Sequence, residues 1–296
     1  MSSIRQRLLY LFILAFIQIL GIGLFSKGFF PYKIYLTGFA TQQDLSSSFL
    51  VDDLHKNHWQ EPTFDRLVFV VIDALRNDFV LGEQSGFNFV KSQIEDGTAI
   101  PFTARATAPT VTMPRIKALT TGTIPSFLDA ILNIAESDTS SSLNFYDNWV
   151  YQLKHSGNKT LHFFGDDTWM RLFPGLFDKE DGTTSFYVSD TVQVDLNVTR
   201  HIRKDIGVND WDVTILHYLG LDHIGHLSGP EGPLMLPKQK EMDQAIELIY
   251  EIVSNQDAER LANDSKAKGT LIVVCGDHGM NENGNHGGSS VEETSA

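Results

Sequence analysis

One uninterrupted apolar segment near the N-terminus decides the broad class of this chain. The 19 residues Leu8–Ser26 carry no formal charge, and Arg7 and Lys27 bound them. A helix of that length rises about 28 Å, which is close to the hydrocarbon thickness of a bilayer. Basic residues on the short N-terminal side favour a cytosolic N-terminus and a body on the opposite side of the membrane. We therefore predict a cytosolic tip and one transmembrane anchor in residues 1–27.

Two other interpretations of this segment stay open. A cleaved signal peptide has a shorter apolar region, and no clean small-x-small cleavage site follows Leu24. A buried core helix rarely carries flanking charges in this arrangement. A lumenal body agrees with three Asn-x-Ser/Thr sequons outside the anchor, where we predict glycosylation at Asn158, Asn197 and Asn263.

The charge of the chain is unevenly distributed. Residues 1–60 carry a net charge of +2, whereas the whole chain carries −14. The acidic body makes nucleic acid a poor partner, because a surface that follows phosphates needs an excess of basic residues. The single cysteine, Cys275, excludes an internal disulfide framework. We interpret residues 28–64 as a linker and residues 65–296 as the folded lumenal domain.

Apolar runs alternate with helical patterns in the body. Arg66–Asp73, with the sequence RLVFVVID, is typical of a buried strand in a parallel sheet. The alternation predicts an α/β fold, with a mostly parallel central sheet flanked by helices on both faces. Further strands are predicted at Thr160–Phe164, Asp212–His217 and Thr270–Cys275, helices at about Ser85–Glu95, Met113–Thr120, Ser142–His155, Val192–Lys204 and Lys238–Val253, and mostly loop at Gly220–Leu236.

Acidic residues and histidines follow three of these strands. Four of the ten histidines lie in two short glycine-rich segments, each beside an aspartate. Carboxylates and neutral imidazoles suit zinc, and ligands in parallel sheets bind beyond the carboxyl ends of the strands. Asp222 and His226 are four residues apart, so one helical turn directs both at one ion, whereas His223 points elsewhere. We predict a metal site, although each residue alone is as well explained as a cap or a structural side chain.

Thr112 lies near the cap position of the helix predicted at Met113–Thr120, because Pro114 suits the first helical turn. A capping role is one explanation of this threonine. The other is chemical, since a hydroxyl at a helix start near a divalent cation loses its proton easily and attacks phosphorus.

The motifs, taken in order, resemble the phosphodiesterase branch of the alkaline phosphatase superfamily. They are most similar to the glycosylphosphatidylinositol (GPI) ethanolamine phosphate transferases, and among these to the group that modifies the second mannose. The resemblance runs from about Arg66 to Ser290 and includes the anchor. It rests on VVIDALRNDF with Asp73, PTVTMPRIKALTTG with Thr112, FGDDTW at 164–169 followed by RLFP, HYLGLDHIGH with Asp222 and His226, GDHGM with Asp277 and His278, and NHGG with His286.

The resemblance implies a mechanism and a location. Thr112 would be the nucleophile, taking phosphoethanolamine from phosphatidylethanolamine and passing it to a mannose of the GPI precursor at the lumenal face of the endoplasmic reticulum membrane. A small multi-span membrane subunit is an expected partner. One zinc ion would be held by Asp73, Thr112, Asp277 and His278, and the other by Asp222, His226 and His286. Asp166 and Asp167 would contact the ethanolamine ammonium or support the ligands, unless FGDDTW is only a turn with a packed tryptophan.

The family continues beyond this region with further strands and a multi-helix membrane region, so we expect this sequence to be C-terminally truncated. Two other functions remain open. One is a metal-dependent phosphodiesterase that uses water as the acceptor, and the other is an inactive partner subunit that binds metal without catalysis.

Overall fold

A computed structural model describes residues 2–29, 38–41, 62–127 and 142–296. The predicted linker at 28–64 lies largely outside the described residues. The N-terminal helix α1 covers Ser2–Phe29. Its span Ile4–Phe29 is the one helix in the described part of the chain that is long and apolar enough to cross a membrane, and no part of it is buried against the body. The described residues therefore do not bury this helix in a core.

The body contains a five-stranded sheet in which all the described pairs of strands are parallel. The strand order is β3-β2-β4-β1-β5, which confirms the predicted α/β class. The central strands are apolar and almost wholly buried because helices cover both faces. The strands are β1 at Arg66–Ile72, β2 at Leu161–Asp166, β3 at Lys179–Thr183, β4 at Val213–Tyr218 and β5 at Thr270–Cys275.

Helices pack on both faces of this sheet. The longer ones are α3 at Asn88–Glu95, α4 at Thr112–Thr121, α7 at Gln193–Lys204, α8 at Gly220–Ser228 and α9 at Met235–Asn263. The shorter ones are α2 at Asn77–Leu81, α5 at Trp149–Tyr151 (continued by a π-helical turn at Gln152–Ser156), α6 at Thr168–Leu172, a 3₁₀ turn at Ile206–Val208 and α10 at Val291–Thr294.

Two apolar clusters form the core, one on each face of the sheet. On one face Val70 of β1 packs with Ile202 of α7 and Ile249 of α9. On the other face Val71 of β1 packs with Ile116 of α4 and Trp169 of α6. Burying an aliphatic side chain of this size contributes about 1.5–3 kcal/mol to folding. Successive residues of β1 therefore fix helices on opposite sides and hold the strand ends between them.

Several elements differ from the sequence predictions. The region Gly220–Leu236 is not mostly loop, because α8 occupies Gly220–Ser228. The helix predicted at Ser142–His155 begins only at Trp149. The side chain of the preceding residue, Asn148, accepts the N–H of Tyr151. The edge strand β3 was not predicted, since its sequence KEDGT is polar and lacks an apolar run.

Candidate metal centre

The register of the central strands brings Asp73 and Asp277 to one edge of the sheet. Ile72 of β1 pairs with Tyr218 of β4. One residue earlier, Val71 pairs with Cys275 of β5. The first acidic residues beyond these strand ends therefore emerge side by side. The Ala74 N–H donates to Asp277 Oδ1 over 3.2 Å, which ties the two strand ends together.

Asp73, Asp277 and His278 form what we call the buried cluster. His278 Nε2 lies 3.4 Å from Asp73 Oδ1 and 3.4 Å from Asp277 Oδ2. All three residues are at most 2% exposed. The other ring nitrogen, His278 Nδ1, lies 2.9 Å from the Gly279 carbonyl oxygen. A carbonyl oxygen accepts, so Nδ1 carries the proton and Nε2 presents a lone pair to the two carboxylates.

These facing atoms are all acceptors, and none has a partner among the described residues. Asp73 Oδ1, Asp277 Oδ2 and His278 Nε2 are each buried without a hydrogen bond. Buried polar atoms are almost always paired, because leaving one unpaired costs roughly 1–3 kcal/mol. Three acceptors within 4.8 Å of one another fit a shared cation, and carboxylate and imidazole ligands suit zinc.

Asp222, His226 and His286 form the second group, the outer cluster. His226 Nε2 lies 3.4 Å from Asp222 Oδ2, and His286 Nε2 lies 3.5 Å from Asp222 Oδ1. The His286 Nδ1 faces the Thr110 carbonyl oxygen at 2.8 Å, so Nδ1 carries the proton and Nε2 has a free lone pair. That lone pair faces His226 Nε2 at 3.1 Å, an arrangement that a shared cation satisfies. The His226 and His286 side chains are 28% and 14% exposed, so this cluster is open to solvent.

Two glycines allow the outer cluster to form. Asp222 and His226 lie on α8, whereas His286 lies on the loop that follows β5. A Cβ on Gly284 would overlap the carbonyl oxygen of Gly225, and Gly284 has a φ of +74°. Side chains at these positions would push the loop away from α8. Gly284 is therefore required for the close packing of this loop against α8.

The two clusters adjoin each other beside Thr112. The rings of His278 and His286 stack with centroids 4.1 Å apart. Thr112 is the first residue of α4, after Val111 in an extended conformation. Its hydroxyl donates to Asp73 Oδ2 over 3.2 Å rather than capping the helix. The structure thus brings together all seven residues that the sequence predicted as ligands.

Burial and neighbouring charges set the ionisation of the buried cluster. Burial, followed by the carboxylates of Asp277, Asp222 and Asp166, raises the pKa of Asp73 well above its usual range. Burial also acts to raise the pKa of Asp277, but the imidazoles of His278 and His217 and two backbone N–H groups outweigh it and lower that pKa. Burial lowers the pKa of His278 and favours the neutral imidazole that binds metal.

Asp166 of the FGDDTW motif and His217 of β4 form a third group with Asp73. One side-chain atom from each lies within 4.8 Å of the others. Asp166 is fully buried at the end of β2. Asp167 instead lies 3.1 Å from Arg171 on α6, so only the first aspartate of the motif reaches the cluster.

Sequence reasoning missed His217 and assigned no chemistry to Trp169. The Trp169 Nε1–H donates to His217 Nδ1 over 2.9 Å. Both lie inside motifs that carried the resemblance, which was the only signal available for them. Of the predicted glycosylation sites, Asn158 and Asn263 are exposed and Asn197 is half-buried on α7; their modification remains a prediction.

Comparison with known proteins places this geometry in a family. Residues 137–293 match the model of the type I phosphodiesterase/nucleotide pyrophosphatase family. The chain belongs to that family. It is 52% identical over 277 residues to GPI ethanolamine phosphate transferase 2 of Aspergillus fumigatus, covering 94% of this chain and 34% of the relative. It is 50% identical over 284 residues to the protein of the same name from Schizosaccharomyces pombe, covering 95% of this chain and 35% of the relative.

This chain thus spans about a third of the length of the curated relatives that it matches. The resemblance to the GPI ethanolamine phosphate transferases is confirmed by these relatives. Among solved structures, it is similar to the phosphonoacetate hydrolase of Sinorhizobium meliloti, with a TM-score of 0.49 and 14% identity, covering 74% of this chain and 57% of that chain.

Proposed function

We propose that this chain carries the catalytic site of a phosphoethanolamine transferase that modifies a mannose of the GPI precursor. The observation that carries the proposal is the Thr112 hydroxyl, 3.2 Å from Asp73 at the junction of two carboxylate–imidazole clusters. The high identity to relatives named for this transfer supports the choice of donor and acceptor, which we propose to be phosphatidylethanolamine and a GPI mannose hydroxyl.

The two clusters would hold two zinc ions. Asp73, Asp277 and His278 would bind one together with Thr112, and the outer cluster would bind the other. The unpartnered acceptors and the deprotonated Nε2 atoms of His278 and His286 support this assignment. Two such cations supply the positive charge that stabilises the attacking and leaving oxygens of an in-line displacement at phosphorus.

In the first step Thr112 Oγ1 attacks the phosphorus of phosphatidylethanolamine. The hydroxyl proton points at Asp73 Oδ2, so a lone pair of Oγ1 is left free for phosphorus. A bond forms between Oγ1 and phosphorus, and the bond from phosphorus to the glycerol oxygen breaks. The proton that Oγ1 loses is transferred to the glycerol oxygen, which leaves as diacylglycerol. The phosphoethanolamine group remains on Thr112 as a diester.

In the second step a mannose hydroxyl attacks the same phosphorus, and the bond to Thr112 Oγ1 breaks. The partly exposed outer cluster is the side from which an acceptor reaches the centre, since the buried cluster is closed to solvent. The mannose hydroxyl loses its proton as its oxygen bonds to phosphorus, the Thr112 oxygen gains that proton, and the site returns to its starting state. The other side chains of the two clusters would bind the metal ions and orient the substrates.

The membrane helix suits this reaction because both substrates are lipids. We propose that α1 anchors the chain once in the endoplasmic reticulum membrane, with the N-terminus cytosolic and the body lumenal. Anchoring confines enzyme and substrates to one surface and raises their effective concentration.

The experiment that tests the proposal is to trap the diester on Thr112. The chain in detergent micelles is incubated with phosphatidylethanolamine and zinc but without acceptor, and peptides are examined by mass spectrometry. We expect phosphoethanolamine on the Thr112 peptide, its loss on addition of a GPI precursor, and a modified acceptor. Release of free phosphoethanolamine at the same rate with and without acceptor would establish the hydrolase instead.

Thr112→Ser provides the matched control, because it keeps a hydroxyl at the same atom. We expect it to form the diester, whereas Thr112→Ala does not. An unmodified Thr112 peptide in a chain that still transfers phosphoethanolamine would overturn the covalent route.

A further inference from the structure

The protonation of His217 is fixed by its neighbour. His217 is wholly buried on β4, and its Nδ1 receives the Trp169 Nε1–H over 2.9 Å. An indole nitrogen is a donor only, so His217 Nδ1 must present a lone pair. The single proton of the neutral ring is therefore on Nε2.

That Nε2–H points into the site. It lies 3.6 Å from Asp73 Oδ2 and within 4.8 Å of an Asp166 carboxylate oxygen. Asp166 Oδ1 is occupied by the Thr168 N–H at 2.9 Å, while its Oδ2 is buried without a hydrogen bond. Nε2 of His217 is likewise unpaired in this geometry. A movement of less than an ångström would bring the donor into hydrogen-bond distance of Asp73.

We propose that His217 is a positioning residue for Asp73, held by Trp169 in the tautomer that donates from Nε2. The bond to Asp73 Oδ2 fixes the carboxylate so that Oδ1 faces Asp277 and His278. Asp166 is the second acceptor, which keeps the imidazole in the plane between the two carboxylates. The inference rests on the proposed function, since it assigns Asp73 Oδ1 to a metal ion.

The ligating histidines show the opposite arrangement. His278 and His286 each direct Nδ1 at a backbone carbonyl oxygen, which places the proton on Nδ1 and the lone pair on Nε2. At His217, Nδ1 instead faces a donor, the Trp169 Nε1–H. The cluster of Asp73, Asp166 and His217 therefore resembles a metal site in composition but not in protonation. Residues that orient ligands in this way usually contribute 10–100-fold to metal affinity.

The first experiment measures the tautomer directly. The full chain is labelled with ¹⁵N-histidine, and magic-angle-spinning NMR is recorded in detergent or lipid, with and without zinc, using His217→Gln to assign the signals. We expect an unprotonated Nδ1 and a protonated Nε2 at His217 in both states. A protonated Nδ1, or a zinc-bound Nε2, would overturn the inference.

The second experiment measures zinc affinity by competition with a chelator. Trp169→Phe keeps the ring but removes the donor, and we expect about a 10-fold loss of affinity at the buried cluster together with a mixture of His217 tautomers. Trp211→Phe is the matched control, because Trp211 is also buried and donates its indole N–H, to the Ile206 carbonyl away from the site. Equal affinities in the two variants would overturn the inference.

Substitutions of His217 itself separate positioning from packing. Gln retains a donor near the Nε2 position, so His217→Gln should keep most of the zinc affinity, and His217→Leu should lose 10-fold or more. The same two substitutions, to Gln and to Leu, at His162 control for packing, because His162 is also a buried histidine and lies on β2. If the unaltered chain binds no zinc, the proposed function fails, while the tautomer in the zinc-free chain still decides whether His217 donates to Asp73.

Discussion

The buried cluster and the outer cluster use the same residue types but are built differently. The buried cluster stands on the ends of β1 and β5, and its side chains are almost inaccessible to solvent. The outer cluster joins a helix to a loop, and its imidazoles are partly exposed. Strand ends fixed by the core position the buried cluster, whereas the outer cluster lies on a helix and a loop that are open to solvent. The difference teaches that Thr112, through its hydrogen bond to Asp73, adjoins the more completely buried of the two clusters.

The largest expected effect comes from removing the nucleophile. Thr112→Ala should reduce transfer by about 10⁴-fold or more, as in enzymes that lose a covalent nucleophile. Zinc should remain at the outer cluster, because Thr112 contacts Asp73 and not Asp222. Transfer rates and zinc content of the purified variant check this. Full activity would refute the covalent mechanism.

A second prediction tests whether the outer cluster depends on glycine packing. Gly284→Ala should cost one of about two zinc ions per chain and most of the activity, because the new methyl group overlaps the Gly225 carbonyl. Gly175→Ala is the matched control, since Gly175 has a similar φ of +70° but no atom within 4 Å of the added Cβ. Metal analysis of both variants gives the answer. Equal zinc contents would show that the loop accommodates the methyl group.

A third prediction orders the release of metal. When a chelator is added, zinc should leave the outer cluster about 10-fold or more faster than the buried cluster, because solvent access governs exchange. Stopped-flow detection of released zinc should show two phases. His286→Ala should remove the fast phase only, and Asp277→Asn the slow phase only. A single phase in the unaltered chain would mean that the two ions leave together.

The smallest effect concerns stability without metal. Asp73→Asn should raise the free energy of unfolding of the zinc-free chain by roughly 1 kcal/mol, because it removes a charge that burial and three carboxylates disfavour. Asp222→Asn should raise it less, since the Asp222 side chain is more exposed. Unfolding followed by tryptophan fluorescence in excess chelator measures both. A destabilised Asp73→Asn would show that the carboxylate is paired before metal binds.

The pH dependence of that difference has a definite sign. The pKa of Asp73 is raised in the folded chain, so the folded state retains a proton that the unfolded state releases. Stability is therefore lost as the pH rises from the ordinary aspartate pKa through the folded value. The gain in the free energy of unfolding from Asp73→Asn should grow over the same pH interval, and should be absent at lower pH.

The sequence predicted the strand ends and the ligands for a physical reason. Apolar runs such as RLVFVVI must be buried, and residues beyond their carboxyl ends share one edge in a parallel sheet. Helix α8 was not predicted, because Gly220 and Gly225 weaken helix propensity. Its start is held by Asp195 on α7, which accepts the Leu219 and Gly220 N–H groups. That partner lies 25 residues from Gly220 in sequence and leaves no local pattern.

The protonation of the histidines was beyond sequence reasoning altogether. Imidazoles at 217, 278 and 286 look alike in the chain. Their tautomers depend on an indole 48 residues away in one case and on backbone carbonyls in the others. Such partners are set only when the sheet and its helices have packed.

The contact between Ala74 and Asp277 joins residues 203 positions apart. During synthesis β1 emerges first, while its neighbour β5 and the last imidazole follow only after most of this region has been made. In the nascent polypeptide, Asp73 therefore stays apart from Asp277 and His278 until the segment that contains β5 has been made. The parallel pairing of β1 with β5 thus delays assembly of the buried cluster until the end of this region has been synthesised.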